Sequence, residues 1–188
     1  MEPNEILEKE IEEEVYIKGN NIYSAEHITK IGRSTVRINF SKTYGTGVFI
    51  KFMKNNLPFY TLLTNEHVIT PEKVKKKEKI NITYDNIQLS IFLDEEERII
   101  RHFKDIFEID LILIEIIEKD NINDEYFLSP KNVEESGYNN LIGKKIVILQ
   151  FPKGGPLKYS HGKIKRIDGN TFTHTASTDK GSHFFNRR

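Results

Sequence analysis

Cysteine is missing altogether from these 188 residues. Its absence excludes a disulfide framework, a thiolate zinc site and a cysteine nucleophile. It also fits an intracellular protein. Net charge is missing too, because 28 Lys plus Arg stand against 28 Asp plus Glu. No global field therefore draws the chain to nucleic acid or anionic lipid. No apolar run approaches the roughly 20 residues that span a bilayer. The opening stretch "MEPNEILEKEIEEEVYIKG" is acidic and has no long apolar core, so neither a secretory signal nor a basic transit peptide is expected. The expectation is a soluble, intracellular chain with no membrane or nucleic-acid partner.

What is present is a globular composition, 37% apolar and 11% aromatic. The length suits one domain, or one two-lobed domain, large enough for a real core. Ile6, Leu7, Ile11 and Val15 recur at helical spacing among glutamates, so residues 1–29 read as an acidic helical extension. After Gly19-Asn20-Asn21 the pattern turns to period two and to short apolar runs. Strands are expected at 34–40, 46–53, 58–64, 80–84, 87–93, 98–103 and 110–116. Each is rich in β-branched or aromatic residues and bounded by Gly, Asn, Asp or Pro. The polar stretch 118–143 reads as a linker. Three more strands follow at 144–151, 162–167 and 171–176. The expected fold is all-β: an antiparallel barrel lobe over 30–117 and a partial second lobe over 144–188.

His27, His102, His161 and His174 share no ligand spacing, so no metal and no cofactor is expected. Gly154-Gly155-Pro156 reads as a turn, because no Gly-Lys-Ser pattern follows it. The lysine run "EKVKKKEK" (72–79) reads as a solvated loop, without the interleaved aromatics of a nucleic-acid platform.

Three segments carry the candidate chemistry. "YGTGVFI" (44–50) is a strand with glycines, "TLLTNEHVI" (61–69) puts His67 at a strand end, and "EIDLILIEI" (108–116) puts Asp110 at a strand start. Histidine has an unperturbed pKa near neutrality, which suits a general base. Asp110 opens a nearly all-apolar strand, so it should be partly desolvated and in need of a partner. Asp105 competes with it for that role, although the apolar run after it is broken by Glu108.

In this order the segments resemble the trypsin-like serine peptidases of the two-barrel, chymotrypsin-like fold. Gly45-Thr46-Gly47-Val48-Phe49 is similar to the family's "GSGF" strand. Thr64-Asn65-Glu66-His67-Val68 is similar to its "T-x-x-H" strand end, and Asp110-Leu111-Ile112-Leu113-Ile114 to its acid-bearing strand. The resemblance covers about residues 30–182. It implies His67 as triad base, Asp110 as triad acid and a peptide or protein as substrate or ligand.

The family's nucleophile sits in a "G-x-S-G" turn, and here the chain departs from the pattern. With Gly181 aligned to the first glycine, Ser182 takes the variable place, His183 takes the nucleophile position and Phe184 replaces the following glycine. Ser182 is one residue out of register, which turns a side chain elsewhere. The resemblance implies the backbone N–H groups of Gly181 and residue 183 as oxyanion hole, and Ser177 as floor of the specificity pocket. The final "HFFNRR" resembles nothing in the family, so the motif is expected to be cut off and the second barrel incomplete. The expectation is a serine-endopeptidase-like domain without its nucleophile, or else a non-catalytic peptide-binding module. An open edge of the second lobe would also invite self-association.

Overall fold

The computed structural model describes residues 25–40, 43–104, 109–130, 138, 140–169 and 171–178. The helix expected at 5–16, Asp105 and residues 181–183 lie outside them.

Among the described residues ten strands form, one on each expected run: β1 Thr35–Phe40, β2 Thr43–Lys54, β3 Leu57–Thr64, β4 Lys79–Tyr84, β5 Ile87–Phe92, β6 Ile100–His102, β7 Ile112–Glu115, β8 Lys145–Gln150, β9 Lys158–Asp168 and β10 Thr171–His174. The first seven make one sheet in the order β5-β4-β1-β2-β3-β7-β6, and every pairing in it is antiparallel. Two of its hairpins turn on Asn55-Asn56 and Asp85-Asn86, all four with positive φ. That is the geometry whose twist suits a two-residue hairpin, and Asn and Asp tolerate it.

This sheet curls on itself. Its outer strands, β5 and β6, are joined only by residues 93–99, so Phe92 and Ile100 stand at most about 29 Å apart even with that link fully extended. Part of that link is folded into a turn, where Glu97 and Arg98 both donate to the Asp94 carbonyl. Laid flat, seven strands would hold their edges roughly 29 Å apart. The edges must therefore bend toward each other. The alternation of β1 and β4 then points Val36, Ile38, Ile80 and Ile82 inward, all of them fully buried. They join Phe49, Leu62, Ile91, Ile100, Ile112 and Ile114 in one core.

The connection between the lobes is packed in its first part. Asp120 sits in a bidentate pair with Arg98, at 2.8 and 3.0 Å, and the two side chains are 5% and 1% exposed. Phe127 packs tilted against Phe49 and edge-on against Tyr60, at centroid distances of 5.1 and 4.7 Å. Leu128 bonds through its backbone to Phe49 and Lys51. One acid, one aromatic and one backbone bridge thus fasten a segment whose composition reads as polar turn.

Two α-helices form among the described residues, and one of them, Pro71–Lys75, takes up part of the lysine run that was expected to be a solvated loop, because Val74 is drawn into the core. The other, α1, Ala25–Ser34, straddles the 29/30 position at which the extension was expected to end. Ser34 and Thr35 close it by bonding back to the carbonyls of Lys30 and Ile31.

The second sheet has three antiparallel strands in the order β10-β9-β8. Ile164 and Ala176 are its buried apolar residues, while Tyr159 and Phe172 are exposed. It meets the first lobe through Phe151, whose N–H donates to Thr46 Oγ1 at 3.0 Å. Arg37 adds a bond to the Gly154 carbonyl. The architecture is a two-lobed antiparallel β fold of the chymotrypsin-like kind, with a small second lobe.

Candidate active site

β3 ends at Thr64, and the chain turns through Asn65, Glu66 and His67. The turn is seated from both ends: Asn65, Glu66, Val68 and Ile69 are buried, and the Val68 N–H closes it on the Asn65 carbonyl at 3.1 Å. Thr64 Oγ1 donates to the Thr46 carbonyl across the sheet. The two glycines of "YGTGVF" make room for this. A β-carbon at Gly45 would come within 2.7 Å of the Val68 methyls, and one at Gly47 within 2.8 Å of Leu62. Lys73 reaches back to the Val68 carbonyl at 2.6 Å. Its own pKa is lowered by burial.

Asp110 lies two residues before β7, which pairs with β3. That pairing brings Asp110 under the turn. His67 Nδ1 is 2.5 Å from Asp110 Oδ2. The His67 backbone N–H donates to Oδ1 at 3.0 Å. Asn65 donates its side-chain amide to the Asp110 carbonyl at 2.9 Å. Asp110 is therefore gripped from one turn, its carbonyl by Asn65 and its carboxylate by both the ring and the backbone of His67. Burial by itself would push the Asp110 carboxyl up, but the hydrogen bonds from the His67 ring and backbone outweigh it and hold the pKa below its ordinary value.

The side chains of His67 and Asp110 are 48% and 39% exposed, so the pair is half-open to solvent. With Nδ1 committed to the acid, Nε2 is the nitrogen left to take or give a proton. Such a pair can act as a general base whose imidazolium form is stabilised by the carboxylate.

Of the remaining sequence candidates, Ser177 is exposed. Its carbonyl accepts bonds from Ser160 Oγ at 2.7 Å and Gln150 Nε2 at 3.3 Å, which tie the 175–178 segment to the second sheet. Gly181, Ser182 and His183 lie outside the described residues. His161 packs its ring edge-on against Tyr159, and His174 lies beside Phe172. Among the described residues no group of three His, Cys, Asp or Glu gathers as a metal site, and no helix is long and apolar enough to cross a membrane. Sequence reasoning gave Asn65 and Glu66 no role. The available signal was two polar residues where a strand run becomes fully buried.

No family model matches the sequence, and no curated protein sequence matches it. Solved structures do match the fold. The Rv3671c protease of M. tuberculosis in its inactive form is similar with a TM-score of 0.53 at 13% identity, covering 84% of this chain and 73% of that one. The serine endoprotease from Yersinia pestis is similar with a TM-score of 0.56 at 18% identity, covering 86% of this chain and 52% of that one. The chain thus spans about half the length of the Yersinia enzyme. What it shares with both is the fold of serine proteases.

Proposed function

We propose that this chain is a serine-endopeptidase-type domain that holds a peptide or protein between its lobes. His67 is the general base and Asp110 the acid that orients it. In such a site a serine hydroxyl attacks the peptide carbonyl, and its proton passes to His67 Nε2. The tetrahedral oxyanion is met by backbone N–H groups, here those of Gly181 and residue 183, and the leaving amine collects the proton from the imidazolium. Ser177 would floor the specificity pocket. The nucleophile position falls on His183, so the sequence as it stands binds without forming an acyl-enzyme. The observation that carries the reading is the 2.5 Å contact of His67 Nδ1 with Asp110 Oδ2 on a turn whose backbone grips the same carboxylate.

The test is covalent labelling with a fluorophosphonate. The chain should stay unlabelled. Replacing residues 183–188 by Ser-Gly-Ser-Pro and closing strands from a chymotrypsin-like protease should bring labelling that His67→Ala removes. Labelling of the original chain at Ser182 would overturn the register, and a repaired chain that stays inert would overturn the peptidase reading.

One observation favours a purely non-catalytic peptide binder. Among the described residues β8 and β10 each have only one neighbour, which leaves edges open to an added strand or to a second copy of the chain. Peptide binding by a chain whose affinity is unchanged in His67→Ala, together with an inert repaired chain, would select that reading.

A further inference from the structure

The turn that carries His67 is held from two strands, and only one hold is accounted for by Asp110. Glu66, the neighbour of His67, turns its side chain the other way. Its Oε2 lies 3.4 Å from Nδ1 of His102 on β6, and the two side chains are 8% and 20% exposed. Both atoms are buried, and among the described residues neither makes a hydrogen bond, so their contact is an ion-pair approach. A carboxylate withdrawn from water and left uncompensated is among the costliest groups a fold can hold. Among the described residues, the group that faces the orphaned oxygen is an equally orphaned imidazole nitrogen. A ring N–H donated to the carboxylate satisfies both.

The placement of His102 gives this pair its consequence. His102 stands opposite Ile112 in the β6–β7 register, and the Phe103 N–H bonds to the Leu111 carbonyl at 3.0 Å. His102 and Asp110 therefore lie at the same end of adjacent strands. Asp110 takes the backbone N–H of His67, while the Glu66 side chain faces His102. Any rotation of the turn that freed the His67 ring would break both holds.

We propose that Glu66 and His102 form a second acid–histidine pair that positions His67, so that the base is fixed through its preceding residue as well as through Asp110. Both are positioning residues, since neither touches a substrate. The inference rests on the reading of His67 as base, but its readout needs no turnover. The full chain would be followed by proton NMR of the His67 Nδ1–H···Asp110 hydrogen, which a short charge-assisted bond shifts far downfield. Glu66→Ala and His102→Phe, the latter keeping ring volume without its nitrogens, should each speed solvent exchange of that hydrogen about tenfold, as expected from losing a hydrogen bond to a charged group. The double variant should be no worse than either single one, because all three remove one interaction. Glu66→Gln, whose amide oxygen still accepts from His102, should keep most of the protection.

A His67 signal unmoved by both single variants, or effects that simply add, would overturn the proposal. So would the absence of the signal from the unaltered chain, since no fixed base would then exist to be positioned. If the signal depends on Glu66 while the nucleophile-repaired chain remains inert, the pair stands and the peptidase reading falls. If the repaired chain cleaves peptides equally well with and without Glu66→Ala, the pair falls and the peptidase reading stands.

Discussion

Gly45 lies against Val68 so closely that a β-carbon on the glycine would meet both valine methyls at 2.7 Å. This contact couples the glycine strand to the turn that carries His67, two motifs that lie apart in sequence. A side chain on β2 at that point and the observed seat of the turn exclude each other.

Gly45→Ala should therefore push the His67 turn off its seat. The expected loss is about 1–3 kcal/mol, the usual range for forcing a methyl into a packed core. Urea unfolding would measure it. Val68→Ala should recover part of the loss in the double variant, since it removes the methyls that collide. Equal losses in Gly45→Ala and in the double variant would mean that the clash is relieved elsewhere.

The Asp110 carboxyl is held below its ordinary value of 3.8 by the His67 bonds, against the opposing pull of burial. A depressed carboxyl stabilises the fold fully above the unfolded-state pKa, and the contribution is lost as pH falls through the lower native value. Asp110→Asn should then destabilise the chain at pH 7 by about 0.5–1 kcal/mol, a range discounted because the pair is half-exposed. The difference should disappear below the native pKa of the carboxyl. Unfolding curves of both proteins at neutral pH and in strong acid would check this, and a gap that persists in acid would sink it.

The Arg98–Asp120 pair is buried and bidentate, and it fastens the packed part of the interlobe connection. Asp120→Ala leaves a guanidinium in the core with no counter-charge, so a loss of about 3–5 kcal/mol is expected. Arg98→Met combined with Asp120→Leu should cost much less, because the stranded charge is gone. Thermal unfolding of the three proteins decides between an indispensable ion pair and a replaceable one.

The second sheet should be the less stable part. Its buried apolar residues are Ile164 and Ala176, and Tyr159 and Phe172 face outward. The first lobe keeps Val36, Ile38, Phe49, Leu62 and Ile112 fully enclosed. Native-state hydrogen exchange on dilute protein should find amides of β8 and β10 exchanging faster than those of β3 and β7. Equal protection in a monomeric protein would show that the small sheet needs no further cover.

The strands were legible in the sequence because their cause is local. Alternating β-branched residues such as Ile80 and Ile82, closed off by Asp85-Asn86, specify a strand, its buried face and its turn within one short segment. His67 and Asp110 were legible as candidates because each stands at the margin of such a run. The sequence alone could not tell what would meet them.

The sequence marks the end of helix α1 weakly, because Ile28 and Ile31 are its main apolar residues. The rest of its support is distant: Gly32 lies near Leu157 and Leu149, and Arg33 pairs with Asp85 and Glu125. Tyr126 and Phe127 sit among polar residues, and only the curl of the first sheet offers them a place in the core. The 2.5 Å approach of His67 to Asp110 and the facing of Glu66 and His102 depend on β7 pairing with β3 on one side and β6 on the other. Hydrophobic alternation is written residue by residue, so the chain carries it alone. The approach of two polar groups 36 or 43 positions apart is set by register across several strands, and that exists only once the sheet has formed.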